Sequence, residues 1–162
     1  MKNLRKELQR LWAPWRCAYV TGTRGKGCVF CEKARSKALA DDLILARGKH
    51  VYVLMNTYPY NAGHLLVAPY AHVAYPGELP RAAQRELWDM ALAWQTRLSE
   101  RMRAGGINIG MNLGVVAGAG IADHLHLHIV PRWQGDTNFI TTVAGTRVVS
   151  QGLRELYDRL VK

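Results

Sequence analysis

The chain has 162 residues, is 49% hydrophobic and carries 22 Lys and Arg against 12 Asp and Glu, a formal net charge of +10. That length suits one domain with a buried core and is short for two of ordinary size. No apolar run reaches the roughly 18 residues of a membrane span, and the N-terminus lacks the apolar core of a secretory signal, so a cytoplasmic protein is expected. Residues 1–40 hold Lys2, Arg5, Lys6, Arg10, Arg16, Arg24, Lys26, Lys33, Arg35 and Lys37 against Glu7 and Glu32, which places +8 of the charge (10 − 2) in this stretch. A basic arm over residues 1–27, ahead of a near-neutral domain over 28–162, suits a polyanion or equally a solvated terminus. Three cysteines are an odd count that disfavours a disulfide framework.

Leucines at 4, 8 and 11 predict a short helix, ended by the Trp12–Trp15 cluster around Pro14. Residues 20–27 are a glycine-rich loop, followed by a turn at Cys28–Cys31 and a short helical piece over 32–40. Residues 41–48, 50–56 and 64–70 read as strands, with a turn-rich loop between the last two. Their short connections favour antiparallel pairing. A long helix over 78–104 starts near Pro80, presents Leu87, Met90, Ala91, Trp94 and Leu98 on one face, and stops at Gly105–Gly106. A fourth strand over 107–116 and a glycine-rich link over 117–123 lead to a histidine-bearing strand. A strand over 146–150 and a C-terminal helix over 152–161, with leucines at 153, 156 and 160, complete an α+β domain.

Within the stretch 123–139, His124, His126 and His128 alternate with Leu125, Leu127 and Ile129, the period of a half-buried strand. The apolar residues enter the core and the imidazoles line the opposite face, neighbours about 6.5–7 Å apart. Histidine can attack phosphorus and transfer protons, and the central His126, flanked on both sides, is the expected nucleophile. His128 and its neighbours would orient it, donate to a phosphate or shuttle a proton. Gly118 and Gly120 just upstream let backbone approach an anion closely and can form a phosphate cradle. Trp133 can stack on a nucleobase or serve as core. Cys28 and Cys31 read as a redox pair, half a metal site or chance, and no thioredoxin-like pattern surrounds them.

The motif HLHLHIV, the longer run AGAGIADHLHLHIVPRWQGDTNF and the upstream NTYPYNAGHLLVAPYAHV resemble the histidine triad superfamily over roughly residues 28–140. They are similar to its branch of bacterial diadenosine tetraphosphate phosphorylases and hydrolases. The resemblance implies a fold with an antiparallel sheet of about five strands, one long helix and a C-terminal helix. It also implies a homodimer, an adenine nucleotide substrate, a nucleotidyl-histidine intermediate at His126 and no organic cofactor. His124 and His128 would be partners of His126, His64 a support, Asn56 a ribose ligand and Asn112 a neighbour of the phosphates. Gly120 stands where the fragile histidine triad branch has a glutamine. Relatives with a similar cysteine pair imply a structural Zn²⁺ held by Cys28, Cys31, His72 and His124, which would rigidify the strand presenting His126. The alternatives are a hydrolase of adenosine 5′-phosphoramidate and a nucleotide- or nucleic-acid-binding module using the basic arm, nucleic acid being the less favoured partner.

Overall fold

A computed structural model describes residues 27–136 and 151–161. The expected basic arm, its short helix and the strand over 146–150 lie outside these residues. Helix α1 covers Val29–Arg35, followed by β1 (Ile44–Arg47), β2 (Val51–Met55), β3 (Leu65–Pro69), α2 (Arg81–Met102), β4 (Gly106–Met111), β5 (Leu127–Arg132) and α3 (Leu153–Val161). The five strands form one sheet in the order β1-β2-β3-β5-β4, and every pairing is antiparallel. This is the expected α+β architecture, with one long helix and one C-terminal helix.

The period-two pattern sorts the sheet into two unlike faces. Val51, Val53, Met55, Leu65, Val67, Leu127 and Ile129 face one way and join Leu87, Ala91, Trp94, Leu98 and Met102 of α2 and Leu156 and Leu160 of α3 in the main core. The helical stripe is thus core, as its spacing predicts. The other face carries a smaller cluster, Tyr52, Leu54, Leu66 and Ala68, roofed by Phe30 of α1 and flanked by Ile44. Beyond this cluster the second face continues across β5 and β4 with His126, His128, Asn108 and Gly110, and Val130, opposite Asn108, is its one buried apolar side chain among the described residues of these two strands. The hydrophobic pattern therefore builds the sheet and leaves part of one face for chemistry.

Several boundaries differ from the sequence reading, each for a local reason. The Cys28–Cys31 segment is the first turn of α1 and not a turn before it, since Glu32 N–H already donates to the Cys28 carbonyl at 3.0 Å. β1 is confined to four residues and bulges between Ile44 and Ala46, with Leu43 in a left-handed conformation at φ 58°. Helix α2 stops earlier than expected: Arg103 itself adopts the left-handed conformation (φ 52°), and Gly106 opens β4. β4 is shorter than the expected 107–116, ending at Met111 before Gly114, whose φ of 85° turns the chain into a short 3₁₀ segment at Val115–Ala117. The histidine strand starts only at Leu127, so His124 and His126 precede the ladder. Its alternation nonetheless persists, with Leu125, Leu127 and Ile129 in the main core.

Candidate active site

His124, His126 and His128 are all buried, so the row is a covered site and not a half-buried solvated face. Phe30 supplies much of the cover: its ring lies 5.0 Å from His124 and 4.9 Å from His126. Tyr52 holds this roof in place by donating its hydroxyl to the Phe30 carbonyl at 2.7 Å.

The hydrogen bonds determine where each imidazole keeps its proton. His126 Nδ1 lies 2.9 Å from the His124 carbonyl, which can only accept, so Nδ1 carries hydrogen and Nε2 keeps its lone pair. A second chain of bonds starts at the Tyr60 backbone N–H, which donates to His64 Nδ1 at 3.0 Å. His64 must therefore be protonated on Nε2, which donates to His128 Nδ1 at 2.9 Å. His128 is then left with a hydrogen on Nε2, and that buried atom has no partner among the described residues. The result is an imidazole lone pair on His126 beside an unused N–H donor on His128, with ring centroids 4.9 Å apart. A buried donor without a partner is unfavourable in an empty protein and fits a site where a ligand oxygen completes it.

Electrostatics reinforce this protonation pattern. Burial, aided by the charges of His128 and His126, pushes the His64 pKa down to about 3. Burial and then the His126 charge push His128 down to about 4. His126 is also lowered by burial, against the raising effect of its bond to the His124 carbonyl. Removal from water disfavours imidazolium, so the three rings are neutral near pH 7.

Asn56 lies behind His64: its Nδ2 donates to His64 Nδ1 at 3.3 Å while its Oδ1 accepts from Tyr58 N–H at 2.9 Å. Asn112 is the residue after β4. Continuing the Met111–Leu127 register by one step places it across from His126. Gly118, at φ 90°, lies beside it, since a Cβ there would come within 3.9 Å of Asn112 Nδ2. A Cβ on Gly120 would meet none of the described residues within 4 Å. Trp133 is placed differently, on the α2 side of the sheet: its indole packs on the main core and donates to the Met102 and Arg103 carbonyls at 3.3 and 3.0 Å. There it satisfies carbonyls left over at the end of α2, in keeping with the packing alternative.

Cys28, Cys31, His72 and His124 form the second half of the site. Their ligand atoms all lie within 4.8 Å of one another. The separations are 3.3 Å for Cys28 Sγ to His124 Nδ1, 3.4 Å for Cys31 Sγ to His72 Nδ1, 3.6 Å for Cys31 Sγ to His124 Nδ1 and 3.2 Å between the two imidazole nitrogens. Tetrahedral bonds of about 2.0–2.3 Å to nitrogen and sulfur give ligand–ligand edges of about 3.3–3.8 Å, so the four donors fit a single four-coordinate metal ion. His124 Nε2 donates to the Pro69 carbonyl at 2.9 Å, which leaves Nδ1 deprotonated toward the cluster and fixes the orientation of the ring. Four ligands leave no open position, so such an ion would brace α1 and the segment entering β5.

Phe30, Tyr60 and Asn61 escaped the sequence reading, as did the roles of Arg132 and Asp136. Phe30 roofs His126, and Tyr60 stacks on His128 at 5.7 Å and packs tilted against His64 at 4.6 Å. Asn61 donates to the Pro131 carbonyl at 3.1 Å and to Asp136 Oδ2 at 2.8 Å, while Asp136 also accepts from Arg132 Nη2 at 2.8 Å. The loop bearing Tyr60 is thereby tied to the far end of β5. Turn residues in YNAG signalled a structured loop, but nothing local signalled its distant partners.

A five-stranded antiparallel sheet that presents three alternating histidines beside a fourth from the entrance to the neighbouring strand defines a histidine triad site. The chain belongs to the HIT domain family, whose model matches residues 37–135. It is 40% identical over 159 residues to a Mycobacterium tuberculosis protein named AP-4-A phosphorylase, covering 93% of this chain and 82% of that one. It is 27% identical over 100 residues to a Saccharomyces cerevisiae protein named bis(5′-adenosyl)-triphosphatase, covering 61% of this chain and 48% of that one. Among solved structures, a Zn-bound histidine triad family protein from Mycobacterium smegmatis is similar with a TM-score of 0.61 and 26% identity, covering 83% of this chain and 91% of that one.

Proposed function

We propose that this chain is an enzyme that cleaves dinucleoside polyphosphates of the diadenosine tetraphosphate kind at an α-phosphate, through a covalent nucleotidyl-histidine intermediate. The observation that carries the reading is the pairing of the His126 Nε2 lone pair with the unpartnered His128 Nε2–H. The names of the Mycobacterium tuberculosis and Saccharomyces cerevisiae relatives support the substrate class.

In the first step His126 Nε2 attacks the α-phosphorus. The N–P bond forms as the P–O bond to the remaining nucleotide breaks, and the leaving oxygen departs with that electron pair. His128 Nε2–H donates a hydrogen bond to oxygen at the reacting centre, where developing charge makes it stronger than in the ground state. His64 holds His128 in the tautomer that makes this possible. In the second step water or inorganic phosphate attacks phosphorus, the N–P bond breaks and its electron pair returns to Nε2. Asn56 contacts the ribose side, while Asn112, Gly118 and Gly120 border the phosphates. Cys28, Cys31, His72 and His124 hold a structural Zn²⁺, which supplies rigidity through a closed ligand set. The protein acts as a cytoplasmic homodimer, with the catalytic domain over 28–162 and the basic arm before it. Among the described residues, no helix is long and apolar enough to cross a membrane.

Incubation with diadenosine tetraphosphate, with and without phosphate, tests the reading. ADP and ATP formed only with phosphate identify phosphorolysis, and AMP and ATP identify asymmetric hydrolysis. Absence of turnover under both conditions, or full activity in His126→Ala, contradicts it.

A further inference from the structure

β4 contributes Gly110 at the position directly opposite His128 in the ladder. Nothing among the described residues requires glycine there. Its φ lies outside the left-handed region, and a Cβ built on it meets no heavy atom of the described residues within 4 Å. A valine would also suit an antiparallel strand better than glycine does. Glycine within a strand weakens it and often marks a site where a ligand or another backbone approaches closely.

The neighbours of Gly110 give that space a chemistry. On the β3 side of His128 the paired residue is Leu66, buried and apolar, so that side is filled. On the β4 side the same sheet face carries Asn108, Gly110 and then Asn112. Asn108 is exposed and its Oδ1 accepts from Arg132 Nη1 at 3.0 Å, which leaves its NH₂ as a donor with no bond among the described residues. The His128 Nε2–H, equally unpartnered, stands beside the gap. The space therefore has N–H donors along one strip, no carboxylate among the residues of that strip and a floor with no side chain at its centre.

We propose that Gly110 is a specificity-determining residue, and that the strip Asn108–Gly110–Asn112 is a subsite for the polyphosphate chain of the departing nucleotide. This rests on the reading of the chain as a dinucleoside polyphosphate enzyme. With the transferred nucleoside toward Asn56 and His64, at the ends of β2 and β3 and clear of the apolar cluster, the leaving phosphates extend the other way, over β4. A side chain at 110 would stand where they pass, whereas a substrate with a compact leaving group ends short of it.

The test compares wild type with Gly110→Ala and Gly110→Val on diadenosine tetraphosphate and on adenosine 5′-phosphoramidate, whose leaving group is only ammonia. The expected result is a fall of about tenfold or more in the ratio of the two kcat/KM values for Gly110→Val, with a smaller fall for Gly110→Ala. An unchanged ratio, whether both activities drop together or neither does, overturns the proposal. A second readout needs no turnover: inorganic tripolyphosphate titrated into ¹⁵N-labelled protein should shift the Gly110 and His128 signals in wild type. Gly110→Val, confirmed folded by circular dichroism, should lose those shifts. If tripolyphosphate moves other signals and leaves these two unmoved, the subsite is wrong. If it binds here while diadenosine tetraphosphate is not cleaved, the subsite stands and the assigned reaction fails.

Discussion

At the scale of single residues, protonation is the property that the surroundings control most tightly. His126 carries its proton on Nδ1 because a carbonyl faces it, and His128 carries its own on Nε2 because His64 donates to the other nitrogen. Replacing His126 by Ala should therefore lower turnover by about 10³-fold or more, since the proposed nucleophile and not an accessory is lost. His64→Ala should slow kcat with a smaller change in KM, because it frees His128 to adopt the wrong tautomer; steady-state kinetics separate the two. Burial of His64 and His128 also has a stability consequence. Their folded pKa values, about 3 and about 4, lie below the roughly 6.5 of an unfolded chain. Below about pH 6.5 the unfolded chain takes up protons that the folded one refuses, so this contribution is full above that pH and is lost as pH falls toward 4 and 3. Urea midpoints should fall progressively from pH 7 to pH 4.5, and less steeply in His64→Gln; a midpoint independent of pH would contradict the buried neutral pair.

At the scale of elements, α1 and α2 do different work on the two faces of the sheet. Helix α2 is held by its buried stripe, so Leu98→Ala, at a fully buried position, should cost about 2–5 kcal/mol in chemical denaturation. Helix α1 is only seven residues long and has no side-chain N-cap bond, so it depends on Phe30 and on the four-ligand cluster at its start. Chelation, or Cys31→Ser, should release α1 from the site. Metal analysis should give about one equivalent of zinc in wild type, and chelation should increase hydrogen exchange in residues 28–35 while leaving α2 protected. Zinc content below a tenth of an equivalent in freshly prepared protein, or exchange unaffected by chelation, would contradict this bracing role. These elements were unequally legible in the sequence. The stripe of α2 and the alternation around Leu125, Leu127 and Ile129 are local periodicities, and both were read correctly. The start of α1 inside the cysteine pair was not, because seven residues carry too little periodicity. The early stop of α2 escaped because Arg103 takes a backbone conformation usually left to glycine.

At the scale of the whole molecule, the two faces of one sheet divide folding from chemistry. The main core lies on the side of α2 and α3, and the imidazoles, glycines and asparagines lie on the other, so the site can be polar without weakening the principal core. Contacts across long sequence separations complete it. His64 meets His128 over 64 residues and Asn61 meets Asp136 over 75, and no local pattern announces either. The histidine row was therefore visible in the sequence, whereas its roof, its proton order and the gap over Gly110 needed the sheet register. The central claim is that His126 Nε2 becomes covalently bonded to the nucleotide. Rapid quenching of enzyme with diadenosine tetraphosphate, followed by peptide mass spectrometry under conditions that preserve phosphoramidate bonds, tests it most directly. An adenylyl group on the peptide containing His126, absent from His126→Ala, is the predicted result; turnover at an undiminished rate in His126→Ala, or the adduct on another residue, would contradict it.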